Sequence, residues 1–428
     1  MLSSNIRATY TAILKEELQC AMGCTEPIAI AYAAAILRDL LGGDPACIRV
    51  SLSGNIIKNV KSVIVPATGG LHGVEAAVAA GVVSGRYDLR LELLSVIGEA
   101  DRPHIADYIE RCHMQVEQLN SPCTFDLLLV GERDGHVGRV QITGYHTNLV
   151  LATCDGLDRI EHYRSTEITG GGTKNDADRA LLSVKDIVAF AEETALDELR
   201  PYLKRQIDMN VAIAEEGLHN TYGASIGQLL LRDGNISIKD RARAWAAAGS
   251  DARMSGCELP VCILSESGNQ GMTASLPVIV YAREMGVNED TLLRALIVAD
   301  LITVHQKTGI GCLSAYCGAI SAGCGAGAGI CYLHGGRLNE IAHTLVNAVA
   351  ILSGTICDGA KPSCAAKIAM AVEAGIMGYE MAATGREFFG GDGIVTKGVE
   401  NTIRNVGQLA RDGMSETDKE IIRIMLKK

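Results

Sequence analysis

The sequence predicts an α+β N-terminal domain, residues 1–175, followed by an all-α helical C-terminal domain, residues 176–428. Three observations carry this. Short β-like runs broken by turn signals occur only in the first part. Apolar positions after about Leu181 repeat at helical spacing. The chain, at 428 residues, exceeds one ordinary domain. Hydrophobic residues make up 48% and charged residues 21%, so a large core can form and disorder is excluded. Aromatics reach only 4% while 47 residues are Gly, so the core should be built from small, closely approaching elements.

Taken in order, residues 5–19 and 27–42 read as helices, the second apolar throughout and ended by Gly42-Gly43. Runs at 47–52, 89–96, 124–130, 137–142 and 149–153 read as strands, separated by turns such as Arg133-Asp134-Gly135 and by helical stretches near 71–84 and 103–112. Thr169-Gly170-Gly171-Gly172-Thr173 reads as a linker or functional loop closing this part. Segments 183–217, 222–232, 240–249, 271–286, 289–306, 337–354 and 364–383 then read as helices. Residues 311–333 carry no charge and are long enough for a membrane span. Their Gly and Cys content points instead to a buried, tightly packed helix pair.

The 39 basic residues against 50 acidic give a net charge of −11, with no run of Lys or Arg, which excludes nucleic acid as the main partner. The first twenty residues lack an apolar signal core and carry Lys15, Glu16 and Glu17, so a cytoplasmic protein with no membrane partner is expected. A homo-oligomer is compatible with that expectation.

Six of the fourteen cysteines lie between Cys312 and Cys364. A disulfide scaffold does not suit a chain with so large a core. Cys324 and Cys331, with Cys317, repeat every seven residues and fit helix packing. Cys357 and Cys364 do not, because they flank the polar turn Asp358-Gly359-Ala360-Lys361-Pro362-Ser363. With Ser363 as N-cap, Cys364 falls at a helix start, where backbone N–H groups and the dipole favour thiolate. Cys24, in Gly23-Cys24-Thr25-Glu26-Pro27, has a similar setting. No C-x2-C pair supports zinc, and the ferredoxin spacing is also missing, so spacing alone leaves the metal open. His305, His334 and His343 lie nearby and read as satisfied helix residues.

Ser267-Gly268-Asn269-Gln270-Gly271 precedes a helix, so its amides and the Asn side chain could hold a carboxylate; a plain helix start is the alternative. His219-Asn220-Thr221-Tyr222-Gly223 carries the same ambiguity. Gly325-Ala326-Gly327-Ala328-Gly329 follows no strand and is rejected as a dinucleotide loop.

Together, Cys24-Thr25-Glu26-Pro27, Ser267-Gly268-Asn269-Gln270-Gly271 and the trio Cys317, Cys357 and Cys364 resemble the L-cysteine desulfidase family, related to the iron–sulfur L-serine dehydratase alpha chain. The resemblance spans essentially the whole chain. It implies a 4Fe-4S cluster held by Cys317, Cys357 and Cys364, with Cys24 as the catalytic thiol, acting as base or capping the fourth iron when substrate is absent. The implied substrate is a small amino acid, L-cysteine, split into pyruvate, ammonia and hydrogen sulfide. Thr25, Glu26, Ser267, Gly268, Asn269 and Gln270 are the expected substrate-binding residues. Cys312 is an alternative to Cys317 as ligand. L-serine dehydration is the nearest alternative activity, and a non-catalytic metal-binding redox protein a more distant one. If all these residues serve one reaction, the site must lie between the two domains.

Overall fold

The structure is a computed structural model that describes residues 2–164, 177–232, 234–311 and 313–426. The Gly-rich stretch at 169–173, the boundary near 175 and Cys312 lie outside the described residues. An α+β part is followed by a largely helical part, as the hydrophobic periodicity predicts.

Helix α1 (Ser4–Glu17) begins at Ser3, whose side chain accepts the Ile6 amide. Strand β1 (Cys20–Met22) leads into α2 (Thr25–Leu40), which is buried nearly throughout against sheet and helix, hence its lack of a polar face. Then come β2 (Cys47–Leu52), α3 (Gly54–Val60), α4 (Val74–Ser84) and α5 (Arg102–Arg111). Strands β3 (His113–Gln118), β4 (Asp126–Arg133), β5 (His136–Thr143), β6 (Leu149–Cys154) and β7 (Leu157–Asp158) follow. They join β2 in a six-stranded sheet of order β3-β2-β4-β5-β6-β7, parallel only between β2 and β3. Val50, Leu129, Val140 and Ala152 stand in register across four strands, all fully buried.

Helix α6 (Ile160–Arg164) ends the described first part, and the second runs through α7 (Val184–Glu193), α8 (Arg200–His219), α9 (Ile226–Leu230) and α10 (Ile238–Met254). After the short strand β8 (Pro260–Cys262) come α11 (Gly268–Met285), α12 (Glu289–Ile310), α13 (Gly318–Leu333) and α14 (Leu338–Leu352). Then α15 (Cys364–Ala383), α16 (Val399–Gln408) and α17 (Ser415–Leu426) complete it. One hydrophobic cluster runs from Tyr10 and Ile28 through Leu296 to Ile403, joining both parts.

Three expectations are corrected. The run at 89–96 is not a strand but a 3-10 helical segment, Tyr87–Val96, kinked at Arg90, with Leu91, Leu93 and Leu94 turned inward. A short apolar run does not by itself separate strand from buried helix. The segment 183–217 is two helices, broken ahead of Pro201, which sits in the first turn of α8. Residues 311–333 hold one helix, α13, rather than a pair. No helix among the described residues is long and apolar enough to cross a membrane.

Candidate functional site

Two short pairings bring distant segments together. Strand β1 pairs antiparallel with β8, Cys20 opposite Cys262 and Met22 opposite Pro260. This fixes the Cys24–Glu26 segment beside the 265–270 loop. Tyr316 bridges Ile356, with the Cys317 amide donating to the Thr355 carbonyl and the Cys357 amide to that of Ala315. Cys317 and Cys357 are thus held on adjacent extended segments joined by one isolated bridge, and the 358–363 turn returns the chain to Cys364.

The turn itself is built for this. Gly359 has φ +100°, and a Cβ there would stand 2.4 Å from the Lys58 carbonyl oxygen, so no larger residue fits. The Lys58 ammonium, only 1% exposed, ion-pairs with Asp418 at 2.6 Å and donates to the Cys357 carbonyl at 3.2 Å. Asp358 pairs with Lys361 and with Lys367. Burial pushes its carboxyl up, but these two ammonium groups outweigh it and hold it at about 2.

Four helix starts now face one cavity. Cys24 is the N-cap of α2, Ser267 of α11 and Cys317 of α13, while Cys364 is the first residue of α15. All four line the cavity, as do Thr25, Glu26, Asn269, Gln270 and Cys357. Four positive dipole ends directed at one space favour an anionic occupant. Cys24 and Cys364 also pack against one small apolar cluster with Val63 and Met254. Among the described residues, no three His, Cys, Asp or Glu side chains converge on a point as a single metal ion requires. Cys317, Cys357 and Cys364 line the cavity.

The expectation of thiolates at the helix starts is corrected for the free protein. Burial, then the charge of Glu26, pushes the Cys24 thiol well above its ordinary range. Burial likewise lifts Cys317 to about 12 and raises Cys364. A helix N-terminus is worth at most about 2 kcal/mol to an anion, whereas full burial raises a pKa by as much as 3–5 units, roughly 4–7 kcal/mol. Nor does the Ser363 side chain cap α15; its backbone is already helical.

Cys24, 3% exposed, donates its thiol to Glu26 Oε2 at 3.1 Å, and Asn59 donates to Glu26 Oε1 at 2.7 Å. Burial would raise the Glu26 carboxyl, but the charge of His146 and these donors outweigh it and hold it below the usual range. His146 is buried, bonded through Nδ1 to Glu266. Ser265 and Glu266 both adopt positive φ, 48° and 64°, an unusual pair for non-Gly residues. Thr25 helps hold that strained loop, its hydroxyl donating to the Glu266 carbonyl at 2.9 Å. Thr25 therefore braces the loop at the cavity edge.

Of the expected site residues, only Gly268 does not line the cavity; it packs against Arg253 and Val261. Lys58, Asn59, His146, Arg253, Glu266 and Lys367 were not singled out from sequence. Only Arg253 carried a local hint, a cation following the small-residue run Ala246-Ala247-Ala248-Gly249-Ser250. His219 ends α8, exposed, and bonds the Glu215 carbonyl away from the cavity. His305 and His343 pair with Glu400 and Glu387, while His334 is exposed at the end of α13 and stacks on Tyr379; none of the three lines the cavity.

Residues 100–423 match the family described as serine dehydratase alpha chain. The chain belongs to that family. The match includes the 265–270 loop and all three cavity-lining cysteines of the second part, and excludes the Cys24 segment. Relatives extend the likeness over that segment too. A UPF0597 protein of Desulfitobacterium hafniense is 54% identical over 98% of this chain and 96% of its own. UPF0597 proteins of Lachnoclostridium phytofermentans and Treponema denticola are 45% and 43% identical, over 97% and 98% of this chain and 98% and 97% of their own. The family's description names a dehydratase, which is a lyase.

Proposed function

We propose that this chain is an iron–sulfur lyase that eliminates sulfide from L-cysteine, giving pyruvate, ammonia and hydrogen sulfide. The observation that carries the proposal is the meeting of Cys24 with Cys317, Cys357 and Cys364 around a cavity faced by four helix starts. The donor set suits an iron–sulfur cluster: three soft sulfur ligands line one cavity, and the surrounding dipoles favour an anionic group. In this proposal Cys317, Cys357 and Cys364 hold a 4Fe-4S cluster. Bound there, the cluster would supply a Lewis-acidic iron for the substrate sulfur.

The chain's own residues supply the rest. The amides opening α11, with Ser267, Asn269 and Gln270, face the cavity as a place for the substrate carboxylate. Cys24 is the candidate base for the Cα proton. Its resting proton is directed at Glu26 Oε2, so this carboxylate holds and orients the thiol. Asn59 and His146 keep Glu26 ionised and fixed. Loss of the Cα proton and of hydrosulfide leaves aminoacrylate, which tautomerises and takes up water to give pyruvate and ammonia. The family's description favours a second reading, dehydration of L-serine on the same scaffold.

The metal is tested on protein purified without oxygen. Iron and acid-labile sulfide bound in proportion to the chain, with broad absorption near roughly 400 nm, is the expected result. Stoichiometric zinc with neither iron nor labile sulfide would overturn the proposal.

A further inference from the structure

Arg253 is the penultimate residue of α10 and heads the largest fully buried side chains, at 2% exposed. It lines the cavity, yet it belongs to no ion pair among the described residues. Its Nη1 donates to Asn269 Oδ1 at 3.1 Å, while Nε and Nη2 are buried with no hydrogen-bond partner. The contrast with Arg179 is plain, since that guanidinium pairs with Glu17 at 2.6 Å and with Glu16 at 3.0 Å. A guanidinium does not shed its proton, and a buried charge without a counterion is strongly unfavourable. Asn269 is neutral and cannot balance it, and the ionised Glu26 acts on it only through space, with no ion-pair contact or hydrogen bond among the described residues. Gly268 leaves no slack behind the group, since a Cβ there would stand 2.5 Å from Nε. The fork is thus packed in place, charged and incompletely satisfied, at the wall of a cavity that four helix starts already make favourable to anions.

We propose that Arg253 is the carboxylate-binding residue of this site, taking the α-carboxylate of the amino-acid substrate beside Asn269. The assignment rests on the amino-acid lyase reading for the identity of the substrate. The carboxylate site itself stands on the geometry. Arg suits the task because its planar fork matches two carboxylate oxygens at once, and desolvation strengthens such bonds. It would also select against amines that lack the carboxylate.

The test uses the full chain, purified without oxygen, and three probes that cannot undergo elimination. L-Alanine carries amine and carboxylate, propionate the carboxylate alone, and L-alaninamide the amine alone. Calorimetric titration should show Arg253→Met binding L-alanine and propionate about 10- to 100-fold more weakly than the native chain. Arg253→Lys should fall between the two. L-Alaninamide should bind all three proteins alike. Without ligand, Arg253→Met should melt at or above the native temperature, because it removes an unpaired buried charge. An Arg253→Met chain that melts far below the native one, or fails to fold, would make the guanidinium a structural prop and overturn the proposal. So would a native chain indifferent to both carboxylates, or Arg253→Met binding them within threefold of native. The two readings fail separately. Arg253-dependent propionate binding without pyruvate from L-cysteine or L-serine would sink the lyase and leave the carboxylate site. Turnover of L-cysteine by Arg253→Met at unchanged KM would do the reverse.

Discussion

Helices α13 and α15 carry Cys317 and Cys364 at their starts, and they cross with backbones in contact. A Cβ on Gly375 would lie 2.0 Å from the Gly323 carbonyl oxygen, and one on Gly323 2.2 Å from that of Ala371. Ordinary contact begins at 3.4 Å, so Gly375→Ala must open the crossing by roughly 1.4 Å at that point. The obstacle is backbone on both sides and cannot swing away. Overpacking of this kind costs about 1–3 kcal/mol, partly offset by the roughly 1 kcal/mol that Ala gains over Gly inside a helix. At about 2.1 cal/mol/K of unfolding entropy per residue, a chain of this length loses at most about 2 °C of Tm. Stability will therefore barely register the change. Cluster retention should register it strongly, because two of the three proposed ligands ride on the separated helices. Iron and acid-labile sulfide per chain, after anaerobic desalting, should fall several-fold in Gly375→Ala. They should stay native in Gly354→Ala, where no atom lies within 4 Å of the added methyl. Native iron content in Gly375→Ala would refute the link between this crossing and the site.

Cys317→Ser, Cys357→Ser and Cys364→Ser should each lose the absorption near roughly 400 nm, since a hydroxyl is a poor substitute for thiolate. Cys24→Ser should keep that absorption and lose about 100- to 10,000-fold in turnover, as measured by pyruvate release; near-native rates would remove Cys24 from the chemistry. Asp300 gives a pH signature elsewhere. It is wholly buried, and burial lifts its carboxyl to about 7 although Gln206 donates to it at 2.9 Å. The folded chain thus holds a proton that the unfolded chain releases near pH 3.9, so stability falls as pH rises from about 4 to about 7. Asp300→Asn should remove that slope. Its advantage over the native chain in urea unfolding should grow by on the order of 4 kcal/mol between pH 4 and pH 8, and a difference independent of pH would refute the assignment.

The sequence carried the helical second part and most of the sheet, because both are written in local periodicity. It also carried the helix starts near Cys24 and at Cys364, although the Ser363 cap is not made, and it placed the start after Ser267 three residues late, at 271 rather than Gly268. What it hid are features decided by distant partners. The run at 89–96 is apolar enough for a strand, and only packing made it 3-10 helix. Strand β3 is mostly exposed and lies at a sheet edge, so its sequence lacks the apolar alternation of a core strand. The pairing of β1 with β8 links three residues to three others some 240 positions away, and nothing local marks it. The Glu26–His146–Glu266 cluster likewise joins residues about 120 positions apart, and the burial of Arg253 is not written in its own helix. The ionisation of Cys24 was misjudged for the same reason: a helix start is visible in sequence, and the depth at which it lies is not.

The central claim is a choice of leaving group, and competing substrates test it most directly. Hydrosulfide leaves more readily than hydroxide, and soft sulfur suits iron, so protein purified without oxygen should release pyruvate and sulfide from L-cysteine. Its kcat/KM for L-cysteine should exceed that for L-serine by at least about tenfold, a difference of only about 1.4 kcal/mol in transition-state stabilisation. Pyruvate formed from L-serine as fast as from L-cysteine, or faster, would contradict the account and make this chain a serine dehydratase.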